Sequence, residues 1–312
     1  MKYVVVSLNT PSATAGRRLR VGWTVVTLCS KYAECYGGTV VTLCSRYAER
    51  YGAKASARGG GAPRVKKVSV RLAYTDTGRG APLLCLHGGM GIDGASLRVP
   101  GILDLAAHGV RVIVPDQRGH GDSDPGDPAL YSHDIWVSDA RAFALGLNLD
   151  RFALLGHSYG GFLAFEFALR WPESLTHLIL VGTSAGPVHA PAAAVGTDDE
   201  LRERFRSVWP RFFAGDDKHW PLFESLRFSR DPYNAAFARE LPRYDVRERM
   251  ASVHTPALLI VGSGDAYRPH MEWLADAMPN ATLRVVQDAG HFPFIEQRRA
   301  FTRDVAAFLT GP

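Results

Sequence analysis

From Arg64 onward the chain alternates between two kinds of apolar pattern, and their order predicts the fold. Val65 to Val70 and Arg71 to Thr75 alternate apolar and polar positions, the two-residue period of half-buried strands, and read as an antiparallel pair. Short continuous apolar runs follow at Pro82 to Leu86, Val110 to Val114, Phe152 to Leu155, Leu178 to Val181 and Ala257 to Val261, with a weaker one at Thr282 to Val286. Runs of that kind are strands buried on both faces, as in a parallel sheet covered by helices. Between and after them the period lengthens: Trp136, Ala140, Phe143 and Leu147 share one helical face, as do Phe301, Val305 and Phe308. Strands alternating with helices predict a three-layer α/β sheet.

Composition narrows the class without changing the picture. The 312 residues are 46% apolar and 21% charged, the balance of a soluble globular chain, which excludes disordered and collagen-like architectures. No apolar run approaches the roughly 18 residues needed to cross a bilayer, so an integral membrane protein is not expected. The net charge of +5 is unevenly placed: residues 1–67 carry +10 and the remainder −5. A basic pI would otherwise invite a nucleic-acid partner, but here the charge belongs to the N-terminal segment, and no such partner is expected.

That segment, residues 1–63, is foreign to the rest. Thr24 to Gly37 recurs fifteen positions later as Thr39 to Gly52 with few changes, and Ala53 to Ala62 reads as a linker rich in Ala, Gly and basic residues. Two copies are too few for a solenoid. A targeting leader or a partner-binding arm competes with a plain non-catalytic extension; Arg17-Arg18 ahead of a short apolar stretch is only a faint export signal. With a catalytic domain beginning near Arg64, removal of residues 1–60 is expected to take away no strand. Cys29, Cys35 and Cys44 lie in this segment and Cys85 in a strand pattern, with no His before His87, so neither a zinc site nor structural disulfides are expected and a cytoplasmic location is.

The candidate chemistry sits at strand ends, where an open α/β sheet places its ligands. Gly156-His157-Ser158-Tyr159-Gly160 follows a strand and opens a helix, the nucleophile elbow, whose glycines permit a turn too tight for side chains. A serine needs a base and a carboxylate. His291 follows the strand Thr282 to Val286, and Asp265 ends the strand Ala257 to Val261 through Gly262-Ser263-Gly264, in the chain order Ser, Asp, His. Asp288 is the rival acid, three residues from His291 and read as a turn residue. His87, His120 and His157 flank glycine turns and read as loop hydrogen-bonders. Oxyanion donors are expected from the backbone N–H of Tyr159 and from His87-Gly88-Gly89-Met90-Gly91, with Gly89 the candidate; the glycines of that loop also serve simply to shape it.

With these motifs in place the chain resembles the α/β-hydrolase superfamily from about residue 64 to 310. Asp116-Gln-Arg-Gly-His-Gly-Asp-Ser-Asp124, with His87-Gly-Gly, Gly156-His-Ser-Tyr-Gly-Gly161 and Gly290-His-Phe-Pro, is similar to its prolyl-aminopeptidase-like branch. The resemblance implies a mostly parallel eight-stranded sheet with a helical cap inserted after the sixth strand. The core would be residues 64–185 and 250–312, and the cap 186–249. Met90 and Tyr159 stand where that branch usually has proline and tryptophan, which leaves esters and amides open beside N-terminal peptide bonds. A serine nucleophile argues against the dehalogenases and epoxide hydrolases.

Residues 201–244 hold ten of the 32 aromatic residues. Some must form the cap's own core, and Trp209, Phe213 and Trp220 are taken as lining a substrate pocket. Glu203, Glu224 and Glu240 are available for a substrate amine or simply solvate a helix face. The charges of Asp116 to Asp124 are expected to tie down their loop, Asp116 pairing with Arg118. The expected activity is that of a serine hydrolase without metal or cofactor, acting on a small molecule through an acyl-enzyme. The competing class is a non-catalytic binding or sensing protein on the same fold.

Overall fold

The computed structural model describes residues 1–11, 22–29, 65–187 and 192–311. Among these, nine strands form one sheet in the order β2-β1-β3-β5-β4-β6-β7-β8-β9. They are β1 (Lys2–Pro11), β2 (Gly22–Cys29), β3 (Val65–Thr77), β4 (Ala81–Leu86), β5 (Val110–Pro115), β6 (Phe152–His157), β7 (Leu175–Val181), β8 (Ala257–Gly262) and β9 (Ala281–Val286). The block β4 to β9 is parallel, whereas β3 runs antiparallel to β5, β1 to β3 and β2 to β1.

Each continuous apolar run became a central strand, because its alternate residues serve two opposite cores. Leu154 of β6, Leu178 and Leu180 of β7 and Leu259 of β8 pack on one face. Leu155, Ile179, Val181 and Ile260 pack on the other. The first core is closed by helices His133–Gly146, Tyr159–Arg170 and Arg268–Ala277, the second largely by Arg298–Thr310. Strand β9 alternates instead, as a sheet edge should.

Two expectations are corrected at the other edge. Val65 to Thr75 is not a hairpin but one strand, since Val70-Arg71 offers no turn residue, and Val70, Leu72 and Tyr74 keep a single buried face throughout. The strand's antiparallel partner is β1, matched from Lys2 opposite Tyr74 to Pro11 opposite Val65. Val4 and Val6 of β1 are buried in the core that holds Phe143, and Lys2 pairs with Asp76 at 2.9 Å. The segment expected to contribute no strand therefore supplies at least one integral strand, and β2 makes the count nine rather than eight. The second copy of the duplication and the Ala53 to Ala62 linker lie outside the described residues, as do Cys35 and Cys44.

Between β7 and β8 the chain leaves the sheet and forms a group of short helices, Asp198–Val208, Trp220–Ser225 and Arg230–Ala235, above the carboxyl ends of the strands. Thr197 caps the first, its hydroxyl accepting from the Glu200 N–H at 3.0 Å, and three acidic residues in the first turn oppose the helix dipole favourably. Trp209, Phe213 and Phe223 form a buried aromatic cluster with Phe292 of the sheet domain.

Candidate active site

Ser158 stands between β6 and the helix Tyr159–Arg170 with φ 51° and ψ −117°, a conformation costly for a non-glycine residue. Its neighbours impose it. A Cβ on Gly160 would lie 2.0 Å from the Leu86 carbonyl oxygen, and one on Gly156 would lie 2.4 Å from the Gly160 oxygen, so β6, β4 and the helix converge where only hydrogens fit. The Ser158 N–H donates to the Val181 oxygen at 2.8 Å, and its carbonyl accepts from the Gly161 N–H at 2.9 Å and the Thr183 hydroxyl at 2.8 Å.

The expected partners meet there. After β8 a tight turn sets the Asp265 carboxylate so that Oδ1 accepts from the Tyr267 N–H at 3.0 Å and Oδ2 lies 2.9 Å from His291 Nδ1. Burial works against the charge of this carboxylate, but His291 and the Tyr267 N–H outweigh it and hold its pKa below the ordinary carboxylate value. The acceptor at Nδ1 makes that nitrogen the proton-bearing one and leaves Nε2 with its lone pair free. The imidazole is held between rings, Tyr267 at 5.3 Å and Phe212 at 5.3 Å. Asp288 is a left-handed turn residue, φ 53°, with its N–H donating to the Ser263 hydroxyl and no contact to the His291 ring among the described residues.

Ser158, His291, Asp265 and Gly89 all line one cavity of about 370 Å³ beneath the cap. Its walls are apolar and mostly aromatic: Phe205, Trp209 and Phe212 from one part of the cap, Tyr233 and Phe237 from another, and Ile92 beside the glycine loop. Of the three cap residues expected to line a pocket, only Trp209 does. Phe213 is buried against Trp209 and Phe292, and Trp220, 38% exposed, lies outside the lining. An aromatic count could not separate the cap's inner face from its own core. Tyr159 is placed as a backbone donor at the helix start, its side chain directed away, with its hydroxyl 2.5 Å from His133 Nε2. Two larger depressions, about 440 and 660 Å³, contain none of the residues Ser158, Asp265 and His291.

Several contributors carried too little local signal to be found. A Cβ on Gly182, at the end of β7 with φ 52°, would sit 2.7 Å from Asp265 Oδ2, so this glycine keeps room for the acid. A Cβ on Gly88 would meet Ser158 Cβ at 2.7 Å, so only a glycine lets this loop approach Ser158 so closely. Glu296 binds the cap to the histidine loop: its carboxylate accepts from the Ala214, Gly215 and Gly290 N–H groups at 2.8, 3.1 and 2.6 Å. The His291 N–H adds a bond to the Phe212 oxygen at 2.7 Å. Glycine after a strand, and an acid five residues past the histidine, were visible; what they faced was not.

Three other histidines have structural partners. His87 Nε2 accepts from the Gln117 N–H, His120 Nε2 from the Gly91 N–H, and His157 Nε2 faces the His291 carbonyl, so all three brace loops around the site. Asp116 does not pair with Arg118. It takes Arg98 at 2.6 Å and the Gly94 and Asp122 N–H groups, while Arg118 is fully buried against Asp139 with two bonds of 2.6 Å. Asp139 lies 21 residues further along the chain, within helix His133–Gly146, so the choice leaves no local mark in the sequence. Among the described residues there is no cluster of three or more His, Cys, Asp or Glu side chains suited to a metal, and no helix long and apolar enough to cross a membrane.

Residues 83–304 match the model of the alpha/beta hydrolase family. The chain belongs to that family. Among curated proteins, this alpha/beta hydrolase is 30% identical over 264 residues to a 2-hydroxymuconate semialdehyde hydrolase of Pseudomonas sp. strain CF600, covering 77% of this chain and 90% of the relative. It is 25% identical to a proline iminopeptidase of Clostridioides difficile strain 630, covering 78% and 95%. The enol-lactonase structure from Burkholderia xenovorans LB400 superimposes with a TM-score of 0.67 at 25% identity, covering 77% of this chain and 97% of that one. Such relatives mark an enzyme of the hydrolase kind.

Proposed function

We propose that this hydrolase is a serine hydrolase that cleaves small esters or lactones through an acyl-enzyme. The observation carrying the proposal is the Asp265–His291 bond of 2.9 Å in the cavity that also holds the strained Ser158. His291 Nε2 takes the Ser158 proton as Oγ attacks the acyl carbon, and the resulting imidazolium is stabilised by the ionised Asp265. The N–H groups of Tyr159 and Gly89 receive the developing oxyanion, the first aided by the helix dipole. His291 then passes its proton to the leaving oxygen. A water deprotonated by His291 attacks the acyl-enzyme, and collapse of the second tetrahedral intermediate returns the proton to Ser158. These side chains suffice for every step.

Acyl esters are favoured over peptides with a free amine by the cavity's charges. Glu203 and Glu224 are engaged by Arg206, and Glu240 accepts from the His133 N–H; none of the three lines the cavity. Among the described residues Asp265 is the sole acid in the lining, and it is committed to His291. A fluorophosphonate probe tests the reading directly: wild-type protein should be labelled and turn over p-nitrophenyl esters, and Ser158→Ala should do neither. An unlabelled wild-type protein inert toward all esters and aminoacyl anilides would mean a binding or sensing role instead.

A further inference from the structure

The cap helix Asp198–Val208 turns Leu201, Phe205 and Val208 toward the protein interior, the spacing of one helical stripe. Arg204 lies on that same stripe and lines the cavity. The helix's other arginines do not: Arg202 pairs with Glu224, and Arg206 with Glu203 at 3.4 Å and Glu224 at 3.0 Å on the outer surface. Nearby, Arg227 is taken by Asp93 and Asp122. Arg204 has no acid among the described residues; its guanidinium donates to the Ala193 carbonyl at 2.5 Å and the Tyr233 hydroxyl at 3.2 Å, both neutral. Arg211, also in the lining, has neither an ion pair nor a hydrogen bond among the described residues.

We infer that Arg204 and Arg211 form an anion-recognising rim, so that the preferred substrate of this site is an ester or lactone bearing a carboxylate. Among the described residues the only lining acid is already paired with His291, so their charges leave the cavity positive beside aromatic walls. A guanidinium in such surroundings is screened less than one in open water, and its planar fork matches a carboxylate. Arg204 is half-buried and Arg211 exposed, so Arg204 carries most of the discrimination, because a fully exposed pair would discriminate little. An amine-bearing substrate would be repelled by the same two groups. The inference rests on the Ser158 hydrolase reading for its substrate class, but the rim itself can be tested by binding alone.

Three esters of matched size separate the outcomes: p-nitrophenyl hexanoate, neutral; mono-p-nitrophenyl adipate, with the charge on the acyl side; and 4-nitro-3-(hexanoyloxy)benzoate, with the charge on the leaving group. Wild-type protein should favour one of the two anionic esters by about tenfold in kcat/KM, a preference that falls severalfold in Arg204→Gln or Arg211→Gln and further in the double variant. In parallel, calorimetry should find hexanoate bound about tenfold more tightly than hexanamide, a ratio lost in the double variant. Turnover of the neutral ester through Ser158 with no preference for either anionic ester overturns the rim and leaves the hydrolase reading standing. Failure of every ester, with hexanoate still favoured in an arginine-dependent way, sinks the hydrolase reading and keeps the rim. Equal binding of hexanoate and hexanamide, or ratios untouched by both substitutions, also overturns it.

Discussion

At the scale of single residues, the site depends on space as much as on chemistry. Asp265→Asn should lower kcat by about 10⁴-fold, because the amide neither stabilises an imidazolium nor fixes the tautomer; Asp288→Asn, at a turn remote from the ring, should change kcat less than about twofold. Steady-state kinetics on one p-nitrophenyl ester ranks the two, and the opposite ranking would move the acid to Asp288. Gly182→Ala is a subtler probe. Its φ of 52° already disfavours a side chain, and the new methyl would press on Asp265 Oδ2 at 2.7 Å and His291 Nδ1 at 3.0 Å. Displacing that pair by part of an ångström should cost about 100-fold in kcat, with KM little altered.

At the scale of elements, β1 and the Glu296 clamp decide what can be removed. A chain beginning at Gly61 loses Val4 and Val6 from the core and leaves β3 paired only with β5, over Tyr74 to Thr77. The two valines alone account for about 3–6 kcal/mol of burial, and an unpaired thirteen-residue edge invites aggregation. Such a chain should be insoluble or melt more than about 8 °C lower, which calorimetry or expression in soluble form will settle. Glu296→Ala leaves the Ala214, Gly215 and Gly290 N–H groups without their acceptor. A loss of about 2 kcal/mol is expected, together with a rise in KM for acyl groups that reach Phe212; Glu296→Gln, which keeps one acceptor oxygen, should recover part of both.

For the whole molecule, four buried histidines couple folding to pH. Burial is the leading cause in each: it lowers His120 and His133 to about 4, His157 to about 3, and His87 well below its ordinary value. Unfolded, these rings would titrate near 6.5. Between that value and the folded ones the unfolded chain binds more protons, so stability is whole above pH 6.5 and drains away as pH falls toward 4. Near pH 5 the unfolded rings are largely protonated while burial holds the folded ones neutral, so each adds to the loss of stability on acidification. Urea melts at pH 7, 6 and 5 should show the midpoint falling steeply; a flat profile would mean that these rings are charged in the folded protein.

Much of this architecture was legible because buried strands and glycine turns leave local marks. The central strands β4 to β8 appear as apolar runs, since both of their faces are covered, and Gly156 and Gly160 appear because a Cβ at either would strike backbone. Ser158, Asp265 and His291 were readable for the same reason: each follows directly on a strand, and the chain order is that of the fold. What the tertiary structure alone decided are relations between segments distant in sequence. Strand β1 pairs with β3 across more than fifty intervening residues, and no local pattern in Lys2–Pro11 names its partner. Arg118 chooses Asp139 over the adjacent Asp116 because helix His133–Gly146 brings that carboxylate to it. Trp209 faces the cavity while Phe213 and Trp220 do not, because the path of the cap, not its composition, sets which ring points inward. The charge left unpaired at Arg204 is likewise a property of packing: the helix carries several arginines, and only the folded cap distributes the acids among them.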